Sequence, residues 1–81
     1  MRPPTPLPLT MEEHTELGRE LVRTRTRMRE LCALVVGVYG PQNRAAFSFQ
    51  KATDALDHLC EHMQAQAAED LPNYNLDGLY L

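Results

Sequence analysis

Residues 31–41, LCALVVGVYGP, decide how the chain folds. They form the most apolar run of the sequence and end in Gly40-Pro41. Glycine suits the left-handed residue that closes a helix, and proline cannot extend the hydrogen-bond ladder beyond it. The run therefore reads as the end of one helix and the elbow to the next.

Upstream, Thr10-Met11-Glu12-Glu13 has the form of a capping box, in which the threonine hydroxyl takes the amide of Glu13 and Glu13 reaches back to the cap. His14, Leu17, Leu21, Thr24, Met28, Leu31, Val35 and Val38 then recur at alternating steps of three and four, the spacing of a helix seam. A second row, Gly18, Val22, Cys32, Val36 and Tyr39, widens the apolar face toward the turn, so deepest burial is expected there. Downstream, Asn43 is the expected cap of a second helix. Its seam is Ala45, Phe49, Ala52, Leu56, Leu59 and Met63, flanked by Ala46, Cys60 and Ala67, and Pro72 ends it near Asp70.

The sequence thus divides into a proline-rich arm over 1–9, a helical hairpin over 10–71 with helices at about 10–39 and 43–70, and a tail over 72–81. Two long helices joined by a short loop must pack antiparallel, giving an all-α hairpin. Facing residue numbers then add to about 83. That register sets Arg29 against Asp54, Arg25 near Asp57 and His58, Arg23 near Glu61, and His14, half-buried, beside Ala68 or Glu69.

A chain of 81 residues makes a marginal core. The apolar face of the first helix is wider than one partner helix covers, and Phe47 lies off the stripe of Phe49, Leu56 and Met63. Burying a phenylalanine is worth roughly 1.5–3 kcal/mol. These surplus groups point to a homodimer forming a four-helix bundle, with a further protein partner as the other occupant. Val22, Val36, Tyr39, Phe47, Tyr74, Leu76 and Tyr80 are the expected partner-binding residues. The apolar tail NYNLDGLYL is expected to fold back over its own bundle or a partner subunit.

Composition narrows the function. The chain is 43% hydrophobic and 23% charged, ordinary for a folded chain, and its net charge of −3 gives no overall attraction to nucleic acid or anionic lipid. No apolar run reaches the roughly 20 residues of a membrane span. The terminus MRPPTPLPLT lacks the continuous apolar core of a secretory signal, so a cytoplasmic location is expected. Cys32 and Cys60 are offset by roughly 13 Å along the hairpin, beyond the about 7 Å between α-carbons that a disulfide allows.

Two constellations carry chemistry. His58-Leu59-Cys60-Glu61-His62 matches the inverted zinc-peptidase pattern, and Asp54 one turn earlier completes an Asp54, His58, His62 row of metal donors. The pattern lacks the later ligand and second scaffold layer of those enzymes, so a solvated helix face is the plainer reading. Arg19, Arg23 and Arg27 make a stripe able to meet phosphates, although acids opposite the arginines favour pairing between helices. No phosphate loop, catalytic triad or cofactor motif is present, and no enzymatic activity is expected. The sequence reads as a small helical interaction or adaptor module. A nucleic-acid-associated regulator using the arginine stripe and a metal-binding bundle are the alternatives.

Overall fold

The computed structural model describes residues 7–81; the reading of positions 1–6 as an extended arm lies outside the described residues. Two helices, α1 (Met11–Tyr39) and α2 (Arg44–Asp70), pack against each other as an antiparallel hairpin, with no strand among the described residues. The capping box at the start of α1 is formed. Thr10 Oγ1 accepts from the Glu13 amide at 3.2 Å, and the Thr10 amide donates to Glu13 Oε1 at 2.9 Å. Gly40 stops α1 with φ 83°, a backbone angle that other residues rarely adopt. Asn43 caps α2, its Oδ1 accepting from the amides of Ala45 and Ala46.

The helices meet along faces rotated from those expected. On α1 the covered positions are His14, Gly18, Leu21, Arg25, Met28, Cys32 and Val35; on α2 they are Ala46, Phe49, Thr53, Leu56, Cys60, Met63 and Ala67. Positions 17 and 24 of the expected seam give way to 18 and 25, while Leu31 stays half-buried beside Cys32; on α2, positions 45, 52 and 59 give way to 46, 53 and 60. Each helix is therefore turned by about 50°, half the step between neighbouring residues. Small and polar side chains enter the seam, and the leucine-rich rows turn outward.

The segment after α2 explains this choice. Residues 71–81 fold back as a strap over the open end of the hairpin, and the buried cluster there is Cys60, Ala67, Leu76 and Tyr80, with Met11, Leu21, Met63, Leu71 and Leu79 packed around it. Burial on α1 is deepest at His14 and Gly18, not near the turn, where Leu34, Val38 and Tyr39 stay exposed. Gly18 lets the strap approach the helix backbone: a β-carbon there would overlap the main-chain oxygen of Leu79 and sit 3.2 Å from its carbonyl carbon.

The register also shifts. Arg29 pairs with Asp57 at 2.8 Å instead of facing Asp54, and His14 reaches Asp70 at 2.8 Å. Facing residue numbers thus add to 84–86. Arg25, expected near Asp57 and His58, turns to the strap, donating to the main-chain oxygen of Leu81 at 2.6 Å and of Tyr80 at 3.5 Å. The two cysteines are free thiols.

Candidate interaction surfaces

The strap is held by side chains from both helices that read its backbone. Gln64 on α2 donates from Nε2 to the Leu76 carbonyl at 2.7 Å and accepts the Tyr80 amide on Oε1 at 2.9 Å. Gly78, at φ 71°, shapes the bend between those two contacts. Beneath it, His14 is fully buried rather than half-exposed. Its Nδ1 lies 2.7 Å from the Tyr80 hydroxyl and its Nε2 2.8 Å from Asp70 Oδ2. With Nε2–H donating to the carboxylate, Nδ1 is the acceptor for the tyrosine proton, and every polar atom of the trio has a partner. Burial raises the Tyr80 phenol above its ordinary value, with the nearby Asp70 and Cys60 adding to the effect.

An acid, an imidazole and a hydroxyl in line have the connectivity of a proton relay. Here His14 and Tyr80 are both sealed from solvent, so the chain of hydrogen bonds ties α1, α2 and the strap together at one point. Sequence reading missed it because the partners are far apart in the chain. The signal available was a histidine on the apolar seam, which when buried requires a partner for each ring nitrogen.

The residues singled out from the sequence fall into separate places. Leu76 and Tyr80 are taken into the chain's own core, Val22 and Val36 are half-buried, and Tyr39, Phe47 and Tyr74 are exposed. The Phe47 ring carries the Lys51 ammonium 5.3 Å above its centroid. Arg19, Arg23 and Arg27 are exposed, with Arg27 leaning toward Glu30 at 3.7 Å. Asp54, His58 and His62 do not gather into a donor set, and no group of three metal-ligating side chains occurs among the described residues. Among the described residues, no helix is long and apolar enough to cross a membrane.

What stands out instead is a bare face. Arg29 contacts Asp57, and Gln64 contacts the strap, so the rows 15, 22, 29, 36 of α1 and 50, 57, 64 of α2 share the strap side of the hairpin. The rows on the other flank of each seam, 17, 24, 31, 38 and 45, 52, 59, 66, must then share the opposite side. Those eight positions are Leu, Thr, Leu, Val, Ala, Ala, Leu and Gln, without a formal charge. Leu17, Val38 and Leu59 are 37%, 65% and 43% exposed, and Leu34 beside them 61%. Leu17, Val38 and Leu59 were assigned to the hairpin's own seam by the sequence pattern, and the rotation of both helices brings them out, while Leu31 stays half-buried.

No protein-family model matches this chain, and no curated protein or solved structure shows significant similarity to it.

Proposed function

We propose that this chain is a small, non-catalytic protein–protein interaction module that works as a homodimer, two hairpins making a four-helix bundle in the cytoplasm. The observation that carries the reading is the uncharged face on which Leu17, Val38 and Leu59 are exposed and Leu31 is half-buried. Stable domains bury the apolar stripe of each helix against a second layer, and the two helices here make a single layer with a strap on one side. Full burial of a leucine is worth roughly 1.5–3 kcal/mol; Leu34 and Val38 are 61% and 65% exposed and Leu17 and Leu59 37% and 43%, so each forgoes a share of that term, and together the shares matter to so small a core. Association is the physical outlet for that surface.

Of the other readings, the arginine stripe is diluted by its own neighbours: Glu16, Glu20 and Glu30 lie on the same outer side of α1 as Arg19, Arg23 and Arg27. No observation favours it over the apolar face. The test is the solution mass of the purified chain by light scattering or sedimentation across micromolar concentrations. A mass of two chains is expected. A monomer throughout that range refutes the homodimer.

A further inference from the structure

We propose that the floor beneath the strap is a peptide-docking groove which the strap fills as an internal ligand, and that it takes from a partner protein a segment of the form aliphatic-x-Gly-x-Tyr ending in a carboxylate. This surface lies on the other side of the hairpin from the bare face, so the proposal goes beyond the homodimer reading and does not depend on it.

The strap is held in the manner of a bound peptide. Its main chain has no helix or sheet ladder of its own: the Tyr74 amide reaches the Leu71 carbonyl and the Leu79 amide that of Leu76, each closing a single turn. The hairpin supplies the anchors. Gln64 takes one carbonyl and one amide of the strap, at Leu76 and Tyr80, and Gly18 lets the Leu79 main chain touch α1. Contacts of this kind hold any sequence that can adopt the bend, and side chains then carry the specificity.

Two side chains do so. Leu76 and Tyr80 are both buried in the floor. The Tyr80 hydroxyl lies 2.7 Å from His14 Nδ1, and the other ring nitrogen is committed to Asp70. A phenylalanine in that place would leave Nδ1 buried without a partner, so the pocket selects tyrosine. Gly78, at φ 71°, turns the chain between the two anchors, which places a glycine two residues after the aliphatic one.

One group is left unsatisfied by the strap. Arg25 donates from Nη2 to the main-chain oxygen of Leu81 at 2.6 Å and from Nη1 to that of Tyr80 at 3.5 Å, while its Nε is buried with no hydrogen-bond partner among the described residues. Nε and Nη2 open on one edge of a guanidinium, the edge that a carboxylate grips with two parallel bonds. A ligand that sets a carboxylate at the Leu81 position can hold both, where the strap engages Nη2 and leaves Nε. A hydrogen bond to a charged group gained in this way is worth about 10-fold or more in affinity.

That margin decides the occupant. The strap of a second copy repeats the bonds of the chain's own strap and leaves Nε as it is, in competition with a segment whose tether keeps it at high local concentration. A partner segment bearing the acid improves on the strap and so has the means to displace it.

The experiment titrates the full chain carrying Leu76→Ala, which loosens the strap and leaves the side chains of the floor in place. The probe is a fluorescein-labelled peptide NYNLDGLYL in three forms: with a free end carboxylate, amidated, and amidated after an added aspartate. Binding is read by fluorescence anisotropy and folding by circular dichroism. A carboxylate-bearing form is expected to bind about 10-fold or more tighter than the plain amide, a gain from the first or the third form telling an end carboxylate from an acidic side chain, and Arg25→Gln in the chain removes the gain. The peptide carrying Tyr80→Phe binds about 10-fold or more weaker. The wild-type chain gives a second readout that does not need the variant to fold: the same peptides at higher concentration expel its strap and move the Tyr80 amide resonance.

If the loosened chain binds no peptide and the Tyr80 amide of the wild type stays where it was, the groove is overturned. Equal affinity for all three forms overturns the acidic ligand. Contacts between Tyr80 and Leu21 of different chains, in a mixture of isotope-labelled and unlabelled wild type, overturn the partner segment in favour of a second copy. A wild-type monomer refutes the homodimer and leaves each of these readouts unchanged.

Discussion

Replacing Gly18 with alanine sets two effects of known size against each other. In an ordinary helix interior the change is favourable by about 0.8–1.0 kcal/mol, because alanine loses less backbone freedom. At this position the added methyl group would overlap the Leu79 carbonyl oxygen, and that oxygen belongs to main chain pinned on both sides. Leu76 is held by Gln64 at 2.7 Å and Tyr80 by the same side chain at 2.9 Å, while Leu81 is held by Arg25 at 2.6 Å. The strap must lift to make room, stretching these bonds together. Overpacking of this kind costs about 1–3 kcal/mol, which exceeds the helix gain over most of its range. Gly18→Ala is therefore expected to give no stabilisation and to destabilise the chain by up to about 2 kcal/mol in urea or thermal unfolding followed at 222 nm, with a changed amide shift at Tyr80. When Leu76→Ala and Tyr80→Ala release the strap as well, the sign reverses and the same substitution raises helicity. If Gly18→Ala stabilises the intact chain by about 1 kcal/mol and leaves the Tyr80 amide where it was, the strap does not press on α1 and the account of the open end is wrong.

Three further outcomes follow from the same end of the molecule. His14→Leu leaves Asp70 Oδ2 and the Tyr80 hydroxyl without the imidazole between them, at a cost of about 2–4 kcal/mol in unfolding experiments; a neutral result would deny the trio a structural role. Because the folded Tyr80 phenol is raised, its contribution is fully present below the ordinary tyrosine value of about 10 and is lost as pH rises through that value and the higher folded one. Tyr80→Phe should flatten this alkaline fall in stability, measured by urea midpoints between neutral and strongly alkaline pH. Asp57→Ala breaks a bond whose partners are both partly exposed, so its loss should cost no more than about 1 kcal/mol and shrink in high salt.

The hairpin was legible because its signals are local. The Thr10 and Glu13 pair, the Gly40-Pro41 elbow and the Asn43 cap each act within a few residues, and each marks a helix boundary in the structure. The rotation of the helices was not. An apolar arc wide enough to include both Leu17 and Gly18, or both Leu59 and Cys60, has two acceptable centres, and the periodicity alone favours the one with more leucine. The strap decides the matter: Leu76 and Tyr80 need small neighbours such as Gly18, Cys60 and Ala67 to lie against.

That choice links the two sides of the molecule. Had the strap been absent, turning Leu17 and Leu59 inward would have buried more apolar surface within one chain, and the outer flank would have shown glycine, cysteine and threonine to water. With the strap in place, the small residues are used for docking it, and the leucines are displaced to the flank where only another chain reaches them. The homodimer proposed above would therefore be coupled to strap docking through the phase of the helices. Loosening the strap, by Gly18→Ala or by loss of Tyr80, gives the helices back their alternative seam and should weaken the dimer at a distance, with no substitution on the bare face. A strap variant that halves the stability of the open end yet dimerises as tightly as the wild type would show that the two faces are set independently.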